Sequence, residues 1–291
     1  MKDINIFCFG FGQVAKNFIK KLSVEQYNIN LSATSRSESS KKTFNGINYN
    51  SYLFNSDNFD QNLVVKLKEA DHILVSIPPE NQEDLVIKNF SKFIESSKVK
   101  WITYLSATSI YGDHKGEWVN ENSKTNPISN NGIARLKAEN AWFSLEKNKK
   151  IPIQIFRLSG IYSNEKNILI RLKSGGVKLI NKKNHFFSRI HVDDISNILF
   201  KSLSKFKSGE IYNLSDDKPS TSEEVTLFGA KILNIENIEK IEVDQIKSEM
   251  LKNFYNESKK VSNKKMKSYF DYNLKFPSYI EGLNHIRCNF I

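Results

Sequence analysis

Cysteine is nearly missing from this chain: Cys8 and Cys288 are the only two in 291 residues. They share no metal-ligand spacing, so the sequence offers neither a disulfide framework nor a zinc site, and it suits a reducing cytoplasm. No apolar run approaches the ~18–20 residues that a membrane span requires. The N-terminus runs straight into a strand-like segment without a basic-then-apolar leader, so no signal peptide is expected. Internal repeats are absent, and no compositional shift marks a linker. Acidic charge is also in deficit, with 32 Asp+Glu against 43 Lys+Arg and a net charge of +11. That excess invites a nucleic-acid reading, but no aromatic-interleaved basic stripe accompanies it. Lys pairs such as Lys41-Lys42 and Lys149-Lys150 sit in polar surroundings among abundant Asn and Ile. The excess therefore reads as a general compositional bias. Neither nucleic acid nor membrane is expected as a partner, and the chain is expected to be a cytoplasmic monomer or homodimer.

Hydrophobic residues make up 39% of the chain, enough for a sizeable core. The most informative stretch is at the very start. Ile4–Phe9 reads as a short buried strand, Gly10-Phe11-Gly12-Gln13-Val14-Ala15 follows at once, and Asn17–Leu22 continues as a helix. This order is what a dinucleotide pyrophosphate needs. Gly10 permits a tight turn, Gly12 lets backbone approach the phosphates, and Ala15 allows the helix to pack close to the strand. The helix N-terminus then presents free N–H groups and a positive dipole end to the anion. The competing reading is that these glycines only make a turn.

Strand-like runs at Ile29–Thr34, Ile47–Phe54, His72–Ile77, Val99–Ser106 and Ile151–Leu158 alternate with helical patterns at Leu63–Ala70, Asn81–Phe93 and Ile133–Leu145. Continuous apolar strands separated by helices indicate a parallel sheet covered on both faces. The expected fold class is therefore α/β: a Rossmann-type doubly wound parallel sheet with a smaller C-terminal substrate lobe. Residues 1–160 are expected to form the NAD(P)-binding domain. Residues 161–291 are expected to form mainly the substrate lobe, with segments around 186–214 returning to the sheet. In such a fold the ligand lies at the carboxyl ends of the strands.

The second strand ends Ala33-Thr34-Ser35-Arg36-Ser37, with no acid at its tip to accept bonds from an adenosine ribose. Arg36 can pair with a 2′-phosphate, and Ser35 with its neighbours supplies hydroxyls, so NADP is favoured over NAD. Ser76-Ile77-Pro78-Pro79 closes the fourth strand where backbone passes the middle of a bound cofactor. Its plainer reading is a strand terminator.

Several segments together resemble the atypical extended short-chain dehydrogenase/reductases, the NAD-dependent epimerase/dehydratase family. They are Gly10–Ala15, Tyr104–Asp113, Arg135–Glu139, Arg157–Tyr162, Arg189–Ile195 and Tyr212–Leu214, together with the C-terminal Leu274–Leu283. The resemblance implies hydride exchange at a nicotinamide beside Ser106, Thr108, Arg135 and Ser159. It also implies a small polar substrate such as a sugar or nucleotide-sugar. The family pairs a catalytic Tyr with a Lys four residues on, one helical turn apart on one face. Here Arg135 takes the Lys position and Asn131 the Tyr position, or in the other register Lys137 and Ile133; neither holds a tyrosine. Arg135 can bind ribose hydroxyls but cannot transfer a proton. Tyr111, Asp113 and His114 follow the fifth strand, and His114 is the best substitute acid/base there. The candidate catalytic set is thus Thr108, Tyr111, His114 and Arg135. The candidate cofactor set is Gly10, Gly12, Gln13, Val14, Ala15, Ser35, Arg36, Ser76, Pro78, Ser106, Arg135 and Ser159. His191 with Asp193 and Asp194 reads as a helix start after a strand rather than as a metal site. The lost tyrosine keeps open a second reading, a non-catalytic NADP-binding sensor or regulatory protein.

Overall fold

A computed structural model describes residues 2–180, 182 and 184–291. The chain divides into two compact units. Unit 1 comprises residues 1–107, 130–157 and 195–212; unit 2 comprises 108–129, 158–194 and 213–291.

Unit 1 is built on an eight-stranded sheet. Its elements are β1 (Lys2–Phe9), α1 (Gln13–Val24), β2 (Tyr27–Ser35), β3 (Ser40–Phe44), β4 (Ile47–Leu53), α2 (Asn62–Glu69), β5 (His72–Val75), α3 (Leu85–Glu95), β6 (Trp101–Ala107) and α4 (Asn130–Lys149). The strand order is Ile211–Leu214, Ile153–Leu158, β6, β5, β1, β2, β4, β3. β1 pairs in parallel with both β2 and β5, so neither of its edges is free, and residues pointing to both of its faces are packed. That is why Ile4, Ile6, Phe7, Cys8 and Phe9 are all buried and the strand reads as an unbroken apolar run. Connections leave β1 in opposite directions, towards β2 on one side and β5 on the other, which opens a crevice at the carboxyl end of β1. Phe90 fills the core beside it, within 5.4 Å of Phe9, 5.0 Å of Phe54 and 4.9 Å of Phe59, ring centre to ring centre.

Three local features depart from the sequence expectation. β3 is an additional strand, antiparallel to β4. Asn45 and Gly46 link them at φ 49° and 77°, the positive values a two-residue hairpin turn demands. Helix α3 starts at Leu85 rather than Asn81. Asn81 and Gln82 have left-handed φ values of 48° and 64°, and the Asp84 side chain accepts the N–H groups of Val86 and Ile87 as the cap. Helix α4 buries Ala134, Ala138 and Trp142, but also Glu139.

Unit 2 is stitched by short parallel ladders: Trp118–Val119 with Lys260–Val261, Gly160–Tyr162 with Arg189–His191, and Leu179–Ile180 with Lys240–Ile241. The first ladder explains why 108–129, which the sequence reading keeps with the first domain, falls in unit 2. Tyr162, Leu169, Val225, Tyr279, Leu283 and Ile286 form one of its cores. Among the described residues, no helix is long and apolar enough to cross a membrane.

Candidate functional site

The turn after β1 is fastened on both sides. Gly10 has φ +83°, and its N–H donates to Thr34 Oγ1 at the end of β2 at 2.8 Å. Ser76, just past β5, donates its hydroxyl to the carbonyls of Phe9 and Gly10, each at 3.0 Å. A Cβ on Gly10 would stand 2.7 Å from Ile77 Cγ2 and 2.9 Å from Ser76 Oγ. Both its conformation and its neighbours therefore require glycine. Phe11 anchors the turn from the other side, its ring 5.3 Å from Phe44 and 4.9 Å from Tyr49 on the β3–β4 hairpin. Sequence reading passed over this anchor because the hairpin itself was not anticipated.

Gly12 is different. It lies at φ −85°, ψ −165°, where any residue is allowed, and a Cβ there would meet nothing within 4 Å. Nothing inside the chain asks for glycine at this position. Gly12 is the N-cap of α1 yet brings no side chain to its free N–H groups, and the first turn carries no acid. The helix thus offers uncapped donors and its positive dipole end to an open space, a natural anion seat. Val14 and Ala15 are buried beneath it, and Gln13 Nε2 is buried with no partner among the described residues.

The rim of the crevice carries the other sequence-predicted residues of unit 1. Ser35, Arg36 and Ser37 follow one another at the tip of β2. Arg36 is exposed, its carbonyl accepts from Asn55 Nδ2 at 3.2 Å, and the Ser35 and Ser37 hydroxyls lie 3.2 Å apart. Pro78 follows Ser76 in the loop after β5. At the end of β6, Ser106 is 2% exposed and its hydroxyl has no partner among the described residues. Arg135 of α4 reaches the same strand end, donating through Nη1 to the Leu105 carbonyl and, at 3.5 Å, to the Tyr104 hydroxyl. Lys137 instead donates to Gln82. Asn131, one turn before Arg135, is exposed. Tyr104 meets Arg135 of this helix, and burial pushes its phenol up from the usual value, so it holds its proton.

Sequence reading missed one pair in unit 1. Arg157 in the strand Ile153–Leu158 and Glu139 in α4 form a buried ion pair, with Nη2 to Oε2 at 2.7 Å and side chains 5% and 1% exposed. A charge inside a buried strand was the available signal, since such a group must find a partner.

In unit 2, Thr108 and Tyr111 belong to one turn of 3₁₀ helix and are both buried. The Tyr111 hydroxyl donates to Asn213 Oδ1 at 2.7 Å. His114 Nε2 lies 3.1 Å from the carbonyls of both Tyr111 and Lys124, so that nitrogen carries the proton and Nδ1 is left as the basic one. Ser159 is buried, its hydroxyl without a partner among the described residues. Tyr162 donates to the Ser278 carbonyl at 3.3 Å and packs edge-on to His191. His191 is fully buried, its Nδ1 accepts the Asp193 N–H at 3.2 Å, and burial, opposed by Asp193, brings it down to about 4. Asp194 accepts from the Tyr272 hydroxyl and from the Lys275 and Phe276 N–H groups, so it is a structural clasp. Among the described residues, no group of three or more metal-ligating side chains gathers.

No protein-family model matches the chain, and no curated protein sequence does. Solved structures do. A functionally unknown conserved protein from Silicibacter pomeroyi DSS superposes with a TM-score of 0.86 at 27% identity, covering 99% of each chain. A UDP-glucuronic acid 4-epimerase from Bacillus cereus in complex with NAD gives 0.76 at 15% identity, again over 99% of each chain. A dTDP-glucose 4,6-dehydratase from Bacillus anthracis str. Ames, also in complex with NAD, gives 0.76 at 19% identity over 99% of this chain and 96% of that one. With the glycine turn, the strand order and these superpositions together, the chain has the extended short-chain dehydrogenase/reductase fold of the NAD-dependent epimerases and dehydratases.

Proposed function

We propose that unit 1 binds a nicotinamide dinucleotide, NADP in preference to NAD, and that the protein is an epimerase- or reductase-like enzyme of the atypical extended type. The observation that carries the reading is Gly12, a glycine whose backbone and surroundings do not need one, at an uncapped helix N-terminus. In this reading the N–H groups of Gln13, Val14 and Ala15 hold the pyrophosphate, with Gly10, Gly12 and Ser76 shaping its seat. Arg36 and Ser35 take the 2′-phosphate, which a guanidinium recognises by paired N–H donors. Pro78 borders the middle of the cofactor, and Ser106 and Arg135 orient its nicotinamide half. The bound cofactor would supply reversible hydride transfer to a small polar, sugar-like substrate.

Proton movement falls to this chain's own residues. Arg135 positions ribose hydroxyls and keeps its proton. His114 is the assigned acid/base, working through Nδ1 because its Nε2–H is held by two carbonyls. Thr108 orients the substrate oxygen; the Tyr111 hydroxyl, expected to share that role, is given to Asn213 instead. A second reading, a non-catalytic NADP sensor, draws support from the tyrosines. Tyr111 and Tyr162 donate to groups of the fold, Tyr104 is buried, and neither 131 nor 133 is a tyrosine.

Calorimetric titration of the wild type and Arg36→Ala with NADPH and NADH tests the cofactor. Loss of one charge-assisted contact should weaken NADPH by about tenfold to a hundredfold, and NADH far less. Equal losses would remove the 2′-phosphate assignment. A screen of carbonyl substrates with NADPH then separates the two readings: turnover lost in His114→Ala supports the enzyme, and binding without consumption supports the sensor.

A further inference from the structure

Of the three residues Gly10, Phe11 and Gly12, only Phe11 has a side chain with which to anchor the turn. It reaches past β2 to the hairpin of β3 and β4 at the end of the sheet. Its ring meets Phe44 edge-on at 5.3 Å and 89°, and Tyr49 at 4.9 Å and 50°. The hairpin register makes these two rings neighbours. Phe44 opposes Ile47 and Lys42 opposes Tyr49, so Phe44 and Tyr49 lie diagonally on one face. The Asn45-Gly46 turn fixes that register, and Thr43 Oγ1 donates to Asn48 Oδ1 at 2.7 Å across the strands. All three aromatic residues are half-buried.

Gly10 is held by Thr34 and Ser76 on one side of the turn. Gly12 has no such hold: a Cβ there would meet nothing within 4 Å, and glycine backbone is the most permissive of all. The path of the chain from Gly10 into α1 is therefore set by the Phe11 ring between them. A turn that already has its bound shape binds without being ordered first, whereas a loose turn loses part of its affinity to that ordering. Aromatic pairs of this geometry stabilise beyond the area they bury, so the hairpin is a firm support.

We infer that Phe44 and Tyr49 are positioning residues of the dinucleotide site: through Phe11, the β3–β4 hairpin holds the glycine turn in the shape that admits a pyrophosphate. The inference rests on the dinucleotide reading of unit 1, to which all of these residues belong, and gives the hairpin a part in that same site. The pyrophosphate is common to NAD and NADP, so the hairpin acts on both alike, in contrast to Arg36 at the 2′-phosphate.

Tyr49 is the cleaner position to vary, because Lys16 Nζ lies 5.9 Å from the centre of the Phe44 ring and a change at Phe44 also disturbs a cation in the first turn of α1. The full-length wild type, Phe11→Leu, Tyr49→Leu, the double variant and Tyr49→Phe are titrated calorimetrically with NADPH and NADH, well below their thermal midpoints. Phe11→Leu should weaken both cofactors by the same factor, about three- to tenfold. Tyr49→Leu should also weaken both, and the double variant should bind no more weakly than Phe11→Leu, since Tyr49 acts through that ring. Tyr49→Phe keeps the ring and should bind as the wild type does. Additive losses in the double variant overturn the inference, and so does wild-type affinity in Phe11→Leu. A loss confined to NADPH overturns it too, because it places the rings at the 2′-phosphate. If Phe11→Leu does not fold, Tyr49→Leu against Tyr49→Phe decides, and equal affinities overturn the inference. A wild type that binds neither cofactor overturns the dinucleotide reading and this inference with it. A wild type that binds, with variants that match it, overturns the inference alone.

Discussion

Two glycines two residues apart do different work, and substitution should separate them. Gly10 is required by its own backbone, at φ +83° and with Ser76 and Ile77 at closer than contact distance. Gly10→Val should therefore destabilise the fold, with a lower thermal midpoint whether or not cofactor is present. A Cβ on Gly12 meets no clash and its φ is allowed, so Gly12→Val should lower the thermal midpoint far less than Gly10→Val, by no more than the N-cap preference for glycine over valine. It should nonetheless lose NADPH binding, because the new side chain fills the phosphate approach. A Gly12→Val protein that binds NADPH normally would sink the anion-seat assignment. The same residue-scale logic applies to Ser106 and Ser159, whose buried hydroxyls have no partner among the described residues and so point to an external one.

At the scale of elements, helix α3 depends on one side chain. Asp84 caps it through the N–H groups of Val86 and Ile87 and also accepts Trp142 Nε1–H of α4 at 3.0 Å. Asp84→Ala should cost about 1–2 kcal/mol, read as a lower urea midpoint at unchanged slope. The α4 contact with the strand Ile153–Leu158 rests on Glu139 and Arg157. Glu139→Ala leaves a buried guanidinium uncompensated and should cost about 3–5 kcal/mol. A loss below about 1 kcal/mol, the size of a surface pair, would show that this contact is not the buried one described. Periodicity made α1, α3 and α4 legible, because a 3.6-residue repeat is written locally. Their starts were less so: the cap at Asp84 and the left-handed Asn81 and Gln82 compete with an apolar pattern that runs back past them. The hairpin at Asn45-Gly46 was written in the sequence too, but β3 has little apolar content, and its pairing with β4 is what makes it a strand.

For the whole molecule, two neutral histidines, His72 half-buried and His191 buried, set a pH limit. Burial, helped by Lys100 and opposed by Asp71, brings His72 down to about 4 from 6.5, and burial brings His191 to about 4 as well. Below 6.5 the unfolded chain takes up protons that the folded chain refuses. Their contribution is therefore complete above pH 6.5 and is lost as pH falls from there towards 4. Urea unfolding across that window should show less loss in His72→Asn than in the wild type. Parallel pH profiles for the two proteins would mean that His72 is solvated. Raised carboxyls such as Asp194 and Asp216 act in the opposite sense, so the variant comparison, rather than the absolute profile, isolates the histidine.

The amino-acid sequence by itself determined the strand–turn–helix at Gly10–Ala15, the parallel α/β architecture and the missing tyrosine at positions 131 and 133. These follow from apolar periodicity, from the conformational freedom of glycine and from residue identity, all of which act over a few neighbouring positions. Only the tertiary structure decided that residues 108–129 belong with unit 2, that Glu139 neutralises Arg157, that His114 spends one nitrogen on two carbonyls, and that Phe11 rests on Phe44 and Tyr49. Most of these depend on groups far apart in the chain, and their burial and partners exist only once the chain has closed around them.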